Sequence, residues 1–139
     1  LFALGRHSEI LGHLEAAADC QARLGDPARL AQIDGYRAHA AWLLGHWQEA
    51  EVAGRRALAV AERLREPGLL ATTRFFLGLA AYSSGNLGTA ITCFSANTEE
   101  ATREAELQRL AFYAPLPAVV SRAWLAWCLA ECGRFAEAR

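Results

Sequence analysis

The chain has 139 residues and a formal net charge of −1, from 14 basic and 15 acidic side chains. It contains 30 Ala but no Lys and no Met, so every basic residue is Arg. The Arg residues are dispersed among Glu rather than gathered in a stripe, which argues against nucleic-acid binding. No run of about 20 apolar residues lacks a charge, so no membrane-spanning helix is expected. Four Cys in so apolar a chain do not resemble a disulfide framework and favour a reducing, cytoplasmic setting.

Four similar turns divide the chain. Glycines at positions 5, 45, 85 and 133 each end an apolar, helix-periodic run and stand two residues before a bulky side chain that begins the next run. Glycine readily adopts the left-handed backbone that ends a helix. Because Ala is also the best helix former, the repeated turn predicts an all-α fold of stacked antiparallel helical hairpins.

Apolar residues at helical spacing place the individual helices. Asp26 is predicted to cap a helix whose first position is Pro27, and Glu66-Pro67-Gly68 breaks the chain between two further helices. Helices are predicted over residues 8–24, 28–44, 47–65, 69–84, 87–105 and 117–132. The last glycine interval is eight residues longer than the others, and the surplus falls at 107–117, where two prolines and two aromatic residues predict a loop.

The turns resemble the tetratricopeptide (TPR) repeat. They carry its Gly-x-aromatic-x-x-Ala pattern as Gly45-x-Trp47-x-x-Ala50, Gly85-x-Leu87-x-x-Ala90 and Gly133-x-Phe135-x-x-Ala138, and Leu77-Gly78 is similar to the pair in its first helix. The spacing of about 40 residues, against the usual 34, is similar to long-helix variants in large bacterial signalling proteins.

Residues 13–17, 24–26 and 117–137 are similar to the C-terminal TPR region of bacterial multidomain proteins that join an adenylate/guanylate cyclase-type domain to an ATPase domain. The resemblance implies one right-handed superhelical array over 1–139, with about three hairpins and incomplete repeats at both ends. It implies a non-catalytic interaction or regulatory module within a larger protein. The absence of Met agrees with the expectation of an internal piece.

The candidate catalytic residues do not form a recognisable set. His7, His13, His39 and His46 are spread over several helical units, and without Lys there is no phosphate-binding Gly-x-x-x-x-Gly-Lys motif. Cys128 and Cys132 stand one helical turn apart, but no second ligand pair completes a metal site, so free, buried thiols are expected. The sequence therefore predicts no enzyme, no cofactor and no metal.

The resemblance implies that the first helix of each hairpin lines a concave groove. The positions concerned carry aromatic and polar side chains suited to anchoring a protein or peptide partner. They are Gln32, His39, Trp42, Thr72, Phe75, Leu79, Tyr82 and Trp127. Packing of these aromatics between helices is the alternative for each one. The Lys and Asn of a carboxylate clamp are absent, since the matching positions are Gly35, Tyr36, His39, Phe75, Phe76 and Leu79.

Two other functions remain open. A small apolar effector could occupy the same groove if the 107–117 loop closed over it. Self-association is the other, because the chain stops as a second helix begins and the helix at 117–132 would lack its partner. That end would then expose Leu125, Cys128, Leu129 and Cys132 and support a homodimer.

Overall fold

The computed structural model describes residues 5–99 and 117–138. Within these ranges the chain is all-helical and contains no strand, which confirms the all-α part of the prediction. The helices are α1 His7–Leu24, α2 Pro27–Leu43, α3 Trp47–Leu64, α4 Pro67–Ser83, α5 Leu87–Glu99 and α6 Pro117–Glu131. Apart from the end of α5, their bounds lie within two residues of the predicted ones. The predicted end of α5 at 100–105 and the predicted loop, up to the proline that begins α6, lie outside the described residues.

The turns follow the predicted glycine pattern. Gly5, Gly25, Gly45, Gly85 and Gly133 all have left-handed backbone, with φ between 68° and 82°. Turns of only two or three residues join α1 to α2, α2 to α3, α3 to α4 and α4 to α5, so these neighbours run antiparallel.

Side-chain carboxylates cap the N-termini of α2 and α4. Asp26 accepts hydrogen bonds from the backbone N–H groups of Ala28 and Arg29, both at 3.1 Å, as predicted. Glu66 does the same for the next hairpin through Gly68 and Leu69, at 3.2 and 2.6 Å. This second cap was not predicted, and it explains why α4 begins two residues earlier than expected, with its proline in the first turn.

Consecutive helices pack against one another along the chain, and the even-numbered helices also contact each other, α2 with α4 and α4 with α6. Small residues allow close approach between neighbours: a Cβ added to Gly54 on α3 would lie 3.1 Å from Cβ of Leu77 on α4. Much of the interior consists of fully buried Ala, with Phe94 as its largest fully buried side chain. In the described part of the chain, no helix combines the length and apolarity needed to cross a membrane.

The α3–α4 turn offers a stability test, because Arg65 is the one non-glycine residue with positive φ, 51°, among those described. Its counterpart 40 residues earlier is Gly25. Left-handed backbone costs an L-residue roughly 1–2 kcal/mol, and the greater freedom of an unfolded glycine offsets about 0.4–1 kcal/mol of that. We therefore expect Arg65→Gly to raise the free energy of unfolding in urea by about 0.5 kcal/mol, and the matched Gly25→Ala to lower it. A loss of stability in Arg65→Gly would contradict the argument.

Candidate partner-binding face

A cavity of about 310 Å³ opens between the N-terminal parts of α2 and α4, next to the start of α6. Its lining includes three predicted groove residues, Gln32, Thr72 and Phe75, together with Tyr36 and Pro117. The volume lies at the lower end of the range for small-molecule sites, about 300–1,000 Å³. The cavity is therefore large enough for one bulky apolar side chain or a small effector.

A second group of side chains lies at the other end of α4. The Tyr82 hydroxyl donates a hydrogen bond to Oε1 of Glu131 at 2.8 Å. The Trp127 indole N–H is shared between that oxygen, at 2.7 Å, and the Tyr82 oxygen, at 2.8 Å. Trp127 is nevertheless 60% exposed. The bond to the Glu131 carboxylate raises the pKa of Tyr82, with burial adding to the effect.

The cavity and this aromatic group lie on the same side of α4. Phe75 and Tyr82 are seven residues apart, which is two helical turns, so their side chains project in nearly the same direction about 10 Å apart along the axis. We call the surface formed by the cavity and the group of Tyr82, Trp127 and Glu131 the even-helix face. Three of its aromatic residues, Phe75, Tyr82 and Trp127, were predicted groove residues, whereas Glu131 was not.

In the middle of the predicted groove, aromatic side chains of α2 and α4 pack against one another. The ring of His39 stacks on Phe76 with centroids 4.5 Å apart and on Trp42 at 5.9 Å. The Trp42 indole N–H donates to the Ser83 hydroxyl at 2.8 Å, which ties α2 to the end of α4. Burial, aided by the nearby charge of His7, lowers the pKa of His39 to about 4, so this imidazole is neutral at pH 7. For Trp42 and His39, packing between helices is thus a large part of their role.

Leu79 does not belong to the groove. It is only 3% exposed and lies in the main core cluster with Phe76 and Phe94. The prediction was wrong because α4 contacts α2, α3, α5 and α6, so most of its circumference is covered.

The predicted end-to-end surface is also mostly covered. Cys128 is fully buried and Leu129 is 5% exposed, so the expectation that they are exposed was wrong. The reason is that this side of α6 packs against α5, where Cys128 joins Phe94 in the core, and Leu125 packs partly buried beside them. Only Cys132 of the four predicted residues is exposed.

The buried thiols are not poised for chemistry. Burial raises the pKa of Cys93 and of Cys128 to about 11, which keeps both protonated at neutral pH. Across residues 5–99 and 117–138, no three His, Cys, Asp or Glu side chains come together as a metal site.

Charged side chains away from the even-helix face form ion pairs and hydrogen bonds with neighbouring helices and turns. Arg56 is exposed and pairs with Asp34 at 2.9 Å, while Arg55 pairs with Glu51. Glu51 also accepts hydrogen bonds from Ser84 at 2.9 Å and Asn86 at 3.4 Å, which joins α3 to the α4–α5 turn. Both Arg55 and Arg56 are exposed, so these ion pairs lie at the solvated surface.

Sequence inspection could have found one further site residue. Trp127 and Glu131 are four residues apart on α6, the spacing at which helical side chains meet. The bond from Tyr82 joins residues 49 positions apart, so no local pattern reveals it.

Comparison with known proteins found no matching family model, no matching curated protein and no matching solved structure. The even-helix face is therefore the basis on which the function of this chain is inferred.

Proposed function

We propose that this chain is a TPR-like, right-handed superhelical stack of helical hairpins that binds a peptide or protein partner. In this proposal it is a non-catalytic interaction or regulatory module of a larger cytoplasmic signalling protein of bacterial type. Contacts among the even-numbered helices support the superhelix, because in such arrays the first helices of successive hairpins form the inner, concave layer.

The observation that carries the proposal is the pairing of a mostly apolar cavity with an exposed tryptophan on one side of the molecule. Phe75 lines the cavity. Tyr82, about 10 Å from Phe75 along α4, accepts a hydrogen bond from the Trp127 indole N–H. Interface hot spots are enriched in Trp and Tyr and pair with pockets on the partner's side of the contact. The spacing fits two side chains three residues apart on a polyproline II-type peptide, which rises about 3.1 Å per residue and returns to the same side every three residues.

The partner would be held by burial of apolar area and a few hydrogen bonds. Gln32, Arg29 and Glu66 are exposed at the cavity and supply the polar groups of its lining. The Thr72 hydroxyl bonds to the carbonyl of Gly68 within its own helix, so it adds little polarity to the lining. The cavity would therefore prefer an aliphatic or aromatic side chain of the partner.

Selection of displayed random peptides against the immobilised protein, followed by fluorescence polarisation, tests this proposal. We expect Trp127→Ala to weaken a selected peptide at least tenfold, because removal of a central aromatic anchor typically costs about 2 kcal/mol or more. Thr72→Phe, which places a ring in the cavity, should weaken it similarly. Trp47→Ala is the matched control, since Trp47 is 43% exposed but begins α3, away from the even-helix face.

Two results would contradict the proposal. One is a set of peptides whose affinity falls as much in Trp47→Ala as in Trp127→Ala. The other is a catalytic activity retained by the purified chain. Circular dichroism of each variant confirms that its helices remain folded.

A small-molecule effector is the second candidate function, favoured by the cavity volume of about 310 Å³. A fragment screen by ligand-detected NMR separates the two candidates. Fragments that bind the unchanged chain, are displaced in Thr72→Phe and do not respond to Trp127→Ala would favour an effector confined to the cavity. Sensitivity of one ligand to both variants favours the peptide.

A further inference from the structure

Glu131 carries a carboxylate that is held in place but not neutralised. Both aromatic donors, the Tyr82 hydroxyl and the Trp127 indole N–H, bond to the same oxygen, Oε1. Among residues 5–99 and 117–138, no hydrogen bond reaches Oε2 and no basic side chain forms an ion pair with Glu131. A carboxylate oriented by two donors therefore keeps one oxygen available at the surface.

The next basic residue along the chain does not pair with Glu131. Arg134, one turn after Glu131, instead binds Glu137 through two hydrogen bonds of 2.8 and 2.6 Å. The negative charge of Glu131 thus has no local counterion in the described part of the chain.

The exposed indole ring of Trp127 lies beside the Glu131 carboxylate. The indole of Trp127 is oriented by its hydrogen bonds to Tyr82 and Glu131, yet 60% of the residue is exposed. Tyr82 is itself fixed by an edge-on contact with Trp124, with ring centroids 5.2 Å apart. A cation placed over the face of a Trp ring is attracted by the negative charge density of that face.

We propose that Glu131, Trp127 and Tyr82 form a binding site for an arginine side chain of the partner peptide. This inference rests on the proposed function and names the chemistry of its ligand. The guanidinium group is planar, so it can lie on the indole while its N–H groups reach Oε2 of Glu131. An ammonium group offers a compact charge without that planar match, so arginine is preferred over lysine.

The position of this site sets the expected peptide pattern. The cavity lies about two turns of α4 away, or about 10 Å. A polyproline II-type peptide that places an apolar side chain in the cavity would therefore carry its arginine about three residues away, on the same side.

An NMR titration of the full chain tests the site without a selected peptide. The probe is N-acetyl-L-arginine amide, and the readout is the indole N–H signal of Trp127, assigned by its loss in Trp127→Phe. We expect this signal to shift with millimolar affinity, and the neutral analogue N-acetyl-L-citrulline amide to bind at least fivefold more weakly. Glu131→Gln should weaken the arginine probe about fivefold, the effect of one exposed charge-assisted contact of about 1 kcal/mol.

The control variant is Glu49→Gln, because the Glu49 side chain is 77% exposed on α3, away from the site. It should leave the titration unchanged. Equal shifts with arginine and citrulline probes, or no shift at the Trp127 signal, would overturn the inference.

Failure of the inference is distinguishable from failure of the proposed function. A peptide that needs Trp127 and the cavity but binds equally well when its arginine is replaced by citrulline overturns the arginine site alone. A titration that shifts Trp127 normally while peptide selection yields no binder sensitive to Trp127→Ala and Thr72→Phe counts against the proposed function and supports the site.

Discussion

Gly78→Ala is expected to lower the free energy of unfolding by about 2 kcal/mol, although Ala is the better helix former by about 1 kcal/mol. A Cβ at position 78 would lie 2.6 Å from Cε1 and 2.7 Å from Cζ of Phe94. Phe94 cannot move away freely, because it is fully buried and its ring lies against Phe75 at 6.2 Å and Trp124 at 6.3 Å. Overpacking of this kind typically costs about 1–3 kcal/mol. Urea denaturation followed by circular dichroism measures the change.

A second substitution identifies the cause. Phe94→Leu removes the ring atoms that the added methyl group would strike, so the cost of Gly78→Ala should fall by at least about 1 kcal/mol in that background. Gly12→Ala is the matched control: Gly12 is exposed in α1 with nothing within 4 Å of an added Cβ. That substitution should stabilise the protein by roughly 0.5–1 kcal/mol. Additive effects of Gly78→Ala and Phe94→Leu would contradict the argument.

Local chemistry is what made the helices predictable. Turn glycines, Pro27 at a first helical position and the Asp26 cap each act within a few residues, so their consequences can be derived from the sequence without knowledge of packing. Glu66 shows the limit of such derivation. It caps α4 as Asp26 caps α2, but Glu is not among the preferred capping residues, so the pattern did not indicate it.

The binding face was less predictable because exposure depends on distant helices. A position counted along α4 as facing a groove, Leu79, is covered by neighbouring helices, and Cys128 on α6 is covered by packing against α5. The useful contacts also join distant residues, as in the bond from Trp42 to Ser83, 41 positions apart. Helical periodicity states which residues share a side of a helix, but not which side the rest of the chain leaves open.

Acidification from pH 7 to pH 5 should destabilise the protein by about 2 kcal/mol through His39 alone. Its pKa is lowered from 6.5 to about 4 by burial between Phe76 and Trp42, with His7 adding to the effect. In this pH range the unfolded chain binds a proton at His39 and the folded protein does not, so protonation favours unfolding. The stabilising contribution is complete above pH 6.5 and falls progressively as the pH drops towards 4. The total loss reaches at most about 3 kcal/mol.

His39→Gln isolates this effect, because Gln is polar but does not titrate. Urea unfolding of the unchanged protein and the variant, measured from pH 5 to pH 8, should give curves that are parallel above pH 7 and converge by about 2 kcal/mol at pH 5. Ion-paired carboxylates such as Glu51, whose pKa is lowered mainly by its bond to Arg55, lose their contribution only below their ordinary pKa of 4.5, so they do not distort this window. The difference between the two curves therefore reports His39. A difference that stays constant from pH 8 to pH 5 would mean that the imidazole is solvated in the folded state. The stacked rings of His39, Phe76 and Trp42 between α2 and α4 would then be accessible to water.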